Sequence, residues 1–455
     1  MTTETHEYER LLRRKLDLLL RTGYILLASL ADTNRIIRNM KRVAAFLGLQ
    51  EDYLHIYVTY NMLMVNYSDE THSFSKFQRC DTHGVNMTVI TEVSKLSWRA
   101  IQEDWDIDQY SDELENISKK RRVYTPLVTA IGAGFACGGF CIQFGCDWMA
   151  FLFASIAAFA GFMLRHYLNS AHLNHYMNTA IAAFFSTLIA WATTFLPGHL
   201  TDTPLHPLLA CALFIVPGVP MINSVDDMLD NYINIGWTRF LNTLLTVAAM
   251  TFGLILIIKF AGVDKSFITT LSLRPDHAYW EYAIAAAISA VGFSMIFNVP
   301  LRILPVVAIG GIIAVCTRNY VNLDMGMGLV IGSLAGSVLV SLIAVKAVHW
   351  VHVPNHVLSI PSVIPMIPGV LMYRALFGLM GLQGHVGELT SATNFLMNAT
   401  LAVLGISIGV AIPNIFARRW IAPQRRKFLE SIIAQRHQRG EFMRPCQCGD
   451  CECGD

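Results

Sequence analysis

Residues 212–227 read "ALFIVPGVPMINSVDD", and the reading of this stretch decides the fold. It opens as an apolar helix, then sets Pro217, Gly218 and Pro220 inside the run and follows them with Asp226 and Asp227. Proline lacks an N–H and clashes with the carbonyl four residues back, so Pro217 and Pro220 release the carbonyls of Leu213 and Val216. The chain does this twice. "SVIPMIPGVLMYRALF", residues 362–377, repeats the Pro-Gly-Val core at Pro368, Gly369 and Val370, with Pro361 and Pro365 ahead of it. There the released carbonyls are those of Val357, Pro361 and Ile364.

The composition places these breaks in a membrane. Of 455 residues 54% are hydrophobic and 15% charged, with a mean hydropathy of +0.44; soluble domains carry about 25% charged residues. A net charge of +1 gives no basis for a nucleic-acid partner. Residues 1–122 hold 17 Lys/Arg and 18 Asp/Glu, and the other 333 hold 17 and 15. The first quarter therefore reads as a water-soluble domain and the rest as membrane-embedded. "MTTETHEYERLLRRKLDLLL" has charges where a secretory signal keeps its apolar core, so the amino terminus is expected in the cytosol.

Within 1–122, leucines at helical spacing predict helix over 6–48, with Gly23 a weak point and a second start capped by Asp32 or Thr33. "YLHIYVTYNMLMVNY", residues 53–67, alternates and predicts one or two strands, with a third near 76–81 and a short one near 87–91. Helices near 92–104 and 109–121 complete a small α+β domain.

From residue 124 the chain is apolar segments joined by short connections. A bilayer core of about 30 Å takes about 20 helical residues. Ten spans fit: 125–144, 148–165, 175–196, 206–224, 240–260, 279–298, 300–317, 325–347, 356–377 and 393–416. With the amino terminus inside, the inner flanks carry thirteen basic residues and the outer flanks five, which supports an even number of spans and two cytosolic termini. "AIGAGFACGGF" (130–140) resembles "AIAAAISAVGF" (283–293) at an offset of 153, "RHY" (165–167) matches "RNY" (318–320) at the same offset, and the Pro-Gly-Val motifs recur at 151. The expected architecture is thus an α-helical integral membrane protein of ten transmembrane helices. They form two five-helix repeats, 123–262 and 263–420, inverted because five is odd. The cytosolic α+β domain of 1–122 precedes them, and a Cys-ended tail, 421–455, follows.

Broken helices offer freed backbone groups and half-helix amino ends that attract anions. The expected substrate-binding residues are Pro217, Gly218, Pro220, Asn223, Pro365, Pro368, Gly369, Tyr373 and Arg374. Asp226 and Asp227, at the edge of a low-dielectric region, are candidates for proton coupling, read against the alternative of a solvated acidic loop, which is preferred for Asp230. Arg374 reads either as a partner for a substrate carboxylate or as an interfacial side chain that snorkels.

"LFIVPGVPMINSVDDMLDNYINIGWTR" resembles the signature of the threonine/serine exporter family. "ADTNRIIRNMKRVAAFLGL" is similar to its amino-terminal region, and "FNVPLRILPVVAIGG" and "IPSVIPMIPGVLMYRALFG" to its second module. The resemblance runs from about residue 10 to about residue 420. It implies a proton-driven exporter of small amino acids, an antiporter in the inner (cytoplasmic) membrane with no cofactor. Members split in two and linked to dicarboxylates keep a succinate-like substrate open. Pro217, Gly218, Pro220, Asn223, Asp227 and Arg239 match its first motif, and Pro365, Pro368, Gly369 and Tyr373 its second. Arg239, Asn298 and Arg302 are taken as structural or gating residues. The expected partners are an amino-acid substrate, protons and the bilayer, with a homo-oligomer possible; a membrane-anchored enzyme or sensor acting through 1–122 is the alternative of another class.

Three further signals are weighed. His349, His352 and His356 have helical metal-binding spacing, but Pro354 interrupts the face. Cys446, Cys448, Cys451 and Cys453 crowd the tail more tightly than a usual zinc pattern and lie outside the resemblance. Gly132, Gly134, Gly138 and Gly139 form a small-residue face for helix packing.

Overall fold

The structure, a computed structural model, describes residues 3–68, 73–171, 173–198, 200–262, 278–380 and 386–438. The amino-terminal domain is built from α1 (Thr3–Ala28), α2 (Thr33–Phe46), strands β1 (Leu54–Val58), β2 (Met62–Ser68) and β3 (Ser73–Arg79), then α3 (Met87–Gln102) and α4 (Ile107–Lys119). The strands form an antiparallel meander in the order β1-β2-β3. Alternation puts Leu63, Val65 and Tyr67 on one buried face, against the leucine stripe of α1.

Two local expectations are corrected. Gly23 is no weak point: a Cβ there would stand 2.5 Å from both Leu63 Cδ2 and Met40 Sδ, so glycine lets α1 approach β2 and α2 closely. The segment 87–91 is no strand. Asn86 caps it, its side chain accepting from the Val89 N–H, and Val89, Ile90 and Val93 join a buried helical stripe that outweighs their β preference.

Among the described residues beyond 125, eight helices are long and apolar enough to cross a membrane, and two bent pairs, each taken as one span, bring the number of candidates to ten. The straight ones include α5 (Pro126–Gln143), α6 (Trp148–Ser170) and α7 (His175–Ala192). A bend of 57° separates a segment containing α8 (Pro207–Ala210) and a 3₁₀ turn, Leu213–Ile215, from α9 (Gly218–Leu229). α10 (Ile233–Phe260), α11 (Tyr279–Ile296), α12 (Leu304–Asn319) and α13 (Leu329–Val351) follow. A second bend, of 59°, lies between α14 (Asn355–Val363), with its 3₁₀ turn Ile364–Met366, and α15 (Gly369–Met380). α16 (Val386–Gln438) starts earlier than the predicted tenth span and continues well past residue 416. Apolar rows face outward: Leu127, Ile131 and Phe135 on α5, and Trp148, Leu152 and Ile156 on α6, all exposed and four residues apart. Water does not favour such rows, and a helix satisfies its interior backbone groups within the segment, as lipid requires.

Helix bounds recur along the chain. α5 and α11 each have 18 residues and start 153 apart; α9 and α15 each have 12 and start 151 apart. The contacts recur as well. Gly139 faces the Ala285 carbonyl and Ser289, while Gly292 faces the Gly132 carbonyl and Ala136, and the offset of 153 turns one set into the other. Late α5 meets earlier α11, and late α11 meets earlier α5, so the two helices run antiparallel. Phe140 and Phe293, also 153 apart, close the contact with ring centroids 5.6 Å from each other. Gly292→Leu would drive a side chain into the Gly132 backbone. We expect it to destabilise the purified protein by about 3 kcal/mol, the upper range for overpacking, read as a lowered thermal unfolding midpoint in detergent, whereas Gly84→Leu, with open space around it, leaves the midpoint unchanged.

Candidate functional site

The two breaks pack against each other. Gly218 lies against Ile364 and Ile367, and Gly369 against Leu213 and Val216, each contact mapping onto the other at the offset of 151. The released carbonyls of Leu213, Val216 and Ile364 are satisfied locally. Leu213 O accepts from Val216 N at 3.1 Å and Val216 O from Gly218 N at 2.8 Å; Ile364 O accepts from Ile367 N at 2.9 Å and Ile367 O from Gly369 N at 2.8 Å. The space between the breaks is lined by Phe140, Phe293 and these apolar residues and measures about 10 Å³, no more than a single water needs. In this conformation the centre of the membrane part is closed and dry. Pro365 is buried in the turn before the second break.

Asn223 and Arg374 occupy equivalent positions on α9 and α15 and leave the breaks in opposite directions. Arg374 is buried, its guanidinium 5.6 Å from the centre of the Phe395 ring. Asn223 lies on the side of the amino-terminal domain, in a cluster that sequence reasoning only half anticipated. Asp226 and Asp227 are not in a loop but on α9, 2% and 1% exposed. Asp227 pairs with Arg239 of α10, Oδ2 to Nη1 3.1 Å, and that arginine is fully buried. The amino-terminal domain completes the cluster through the corner between α1 and α2. Asn223 Nδ2 donates to the Leu30 carbonyl at 2.9 Å, Arg239 Nη2 to the Ala31 carbonyl at 2.8 Å, and Thr33 N to Asp227 Oδ1 at 2.8 Å. Leu30 takes a left-handed backbone, φ 59°, at a cost of about 1–2 kcal/mol. Asn34 Nδ2 donates to Asp230 Oδ2 at 2.6 Å, so Asp230 is half-buried and bonded rather than solvated.

Asp32 caps α2 and is bound by Arg35, its Oδ2 2.8 Å from Arg35 Nε. Across the corner His356, at the start of α14, stands with Nδ1 3.8 Å from Asp32 and Nε2 3.8 Å from Asp226, and Asn414 Nδ2 lies 2.6 Å from Nε2. Asp32, Asp226, Asp227, Arg35 and Arg239 are all under a tenth exposed, so three carboxylates face two guanidiniums with a histidine between them. Buried charge is costly unless balanced.

Asp32, Arg35, His356 and Asn414 went unassigned in the sequence reading because they come from three distant segments. Their one legible signal was polarity at the end of an apolar helix. Asn298, taken as a structural or gating residue, docks the two parts of the chain. Buried, with φ 55°, it accepts from Val123 N at 2.9 Å and donates to Asn86 Oδ1 at 2.7 Å, while its carbonyl accepts from Thr88 N at 3.1 Å. Arg302 is exposed. Of Tyr373 only the backbone, within α15, is described; Cys446, Cys448, Cys451 and Cys453 lie outside the described residues.

A helical bundle with outward apolar rows, paired broken spans and a buried charge cluster at one end defines a multi-pass membrane transporter. The chain belongs to the threonine/serine exporter family: residues 17–261 match "Putative threonine/serine exporter" and residues 282–416 "Threonine/Serine exporter, ThrE". It is 22% identical to the "Probable threonine/serine exporter" of Mycobacterium tuberculosis over 418 residues, 89% of this chain and 77% of that one. It is 25% identical to the "Probable succinate transporter subunit YjjP" of Escherichia coli over 246 residues, 54% of this chain and 94% of that one. No solved structure matches. The family is one of transporters, so the enzymatic reading of residues 1–122 falls away.

Removing one partner of a buried pair leaves the other charge uncompensated, at a cost of about 3–5 kcal/mol. Arg239→Met should therefore lower the unfolding midpoint strongly, and Arg239→Met combined with Asp227→Leu should recover most of the loss. Equal destabilisation of the single and double variants would mean that the pair carries no coupled charge.

Proposed function

We propose that this protein is a proton-coupled exporter of small hydroxy amino acids of the threonine/serine class, working as an antiporter in the cytoplasmic membrane with both termini in the cytosol. The amino-terminal domain then caps the cytosolic ends of the spans, in accord with the excess of basic residues on those flanks. The membrane part is read as two inverted five-helix halves, 123–262 and 263–420. Recurring helix bounds and the antiparallel, offset-symmetric contacts of α5 with α11 and of one break with the other support that reading. Rocking of one half against the other at these contacts opens a path past Pro217, Gly218, Pro220, Pro365, Pro368 and Gly369 to either side.

The observation that carries the proposal is the buried cluster of Asp32, Asp226 and Asp227 with Arg35, Arg239 and His356. Buried carboxylates are groups on which a proton can be exchanged, and carboxylate and guanidinium side by side suit the ammonium and the carboxylate of an amino acid. A proton held in the cluster and an ammonium bound to it repel each other, and mutual exclusion is what antiport needs. A proton arriving from the acidic outside leaves to the cytosol as the substrate loads.

The E. coli relative's name favours a second reading, a C4-dicarboxylate exporter. The buried carboxylates of Asp32, Asp226 and Asp227 speak against it, because they repel a dianion placed beside them. Efflux from loaded proteoliposomes separates the two. Threonine efflux should accelerate when the outside is acidified and lose that acceleration with a protonophore, while succinate efflux stays at the background rate. Asp226→Asn should abolish the acceleration, at least tenfold, yet retain threonine–threonine exchange. Pumping of succinate but not threonine would overturn the substrate class, and full acceleration in Asp226→Asn would remove this aspartate from the coupling.

A further inference from the structure

We infer that the α1–α2 corner, Leu30–Thr33, occupies the seat of an α-amino acid at the cytosolic end of the transport path, as a main-chain plug that substrate must displace. The inference deepens the exporter reading and rests on it. An α-amino acid offers two carboxylate oxygens and, one carbon away, ammonium hydrogens. The corner offers the same pattern in neutral form. Its carbonyl oxygens at Leu30 and Ala31 accept from Asn223 Nδ2 and Arg239 Nη2, the donors suited to a carboxylate, and the N–H of Thr33 donates to Asp227, the acceptor suited to an ammonium. Asn223 is 2% exposed, and its Oδ1 has no hydrogen-bond partner among the described residues, leaving an acceptor that an ammonium or a hydroxyl would use.

The corner is built to leave. Its backbone is held at φ 59° at Leu30, a conformation a leucine adopts only under constraint. It is the segment that links two helices of a domain with its own core, so it moves with that domain. Among the described residues, the charged groups around it include Asp32 and Arg35 on its own element, Asp226, Asp227 and Asp230 from α9, Arg239 from α10 and His356 from α14. His356 spans the corner's Asp32 and the membrane part's Asp226.

The full-length protein tests this by hydrogen exchange. Backbone amides of residues 29–36 should exchange at least tenfold faster with saturating threonine, because the substrate takes the plug's partners. They should not respond to threonine methyl ester, which lacks the carboxylate, or to N-acetylthreonine, which lacks the ammonium. Unchanged or slowed exchange with bound threonine overturns the plug. A second arm joins Asn34→Cys to Asp230→Cys, a pair bonded at 2.6 Å in the wild type, with a short reducible bis-thiol reagent, in a full chain whose four tail cysteines are serine. Threonine binding should fall more than tenfold on bridging and return on reduction. Undiminished binding in the bridged protein removes the plug and leaves the exporter standing. A wild-type protein that binds no threonine removes both.

Discussion

Everything at the junction of the two parts of this chain follows from taking Asp227 out of water. An aspartate 1% exposed at the end of a membrane helix needs a countercharge and donors, and it recruits Arg239 from the next helix and the Thr33 N–H from a different domain. Arg239, fully buried in turn, needs acceptors beyond one carboxylate and takes the Ala31 carbonyl. Asn223 takes the neighbouring carbonyl of Leu30. The amino-terminal part is thereby fixed to the apolar helices through main-chain groups, which depend little on side-chain identity. The Asn298 corner, joined to Asn86, Thr88 and Val123, makes a second seam of the same kind. Satisfying buried polar groups, rather than burying apolar area, sets how the two parts meet.

The bundle itself obeys a different constraint. Its helices are apolar on faces that would meet lipid, so burial there supplies little drive to associate, and close packing must do it. Gly139 and Gly292 let α5 and α11 approach to backbone contact, and Gly218 and Gly369 do the same for the breaks. The charges gather at one end of this small-residue core and the dry contact of the breaks forms its centre. A transporter that alternates access needs both: a contact that opens as a unit, and a polar seat that binds before it opens.

Much of this was legible in the sequence, for reasons that can be named. The Pro-Gly breaks, the ten apolar segments and the offset of 153 are local or periodic signals, and helices such as α5 and α11 follow them closely, whereas α10 and α16 start seven residues before the predicted spans. Gly23 and the segment 87–91 were misread because local propensity speaks for weak helix and for strand, whereas close approach to Leu63 and a buried stripe under an Asn86 cap decide the outcome. The candidate site was legible by halves. Asp226, Asp227, Asn223 and Arg239 stand within one stretch. Asp32 looked like an ordinary helix cap and His356 like one of three scattered histidines. Only the fold brings residue 32 to residue 356, and no spacing rule reaches that far. The prolines marked where the helices break; they did not reveal that the freed carbonyls are closed into short turns.

The account turns on competition: a proton held in the buried cluster of Asp32, Asp226 and Asp227 and the ammonium of the amino acid exclude each other. Proton release on binding measures this directly. Purified full-length protein, titrated with threonine by calorimetry at a pH near 6.5 in buffers of different ionisation enthalpy, should release close to one proton per threonine bound, with the release lost in Asp226→Asn. Threonine binding whose heat is independent of the buffer would show that no proton leaves as substrate arrives, and would contradict the account.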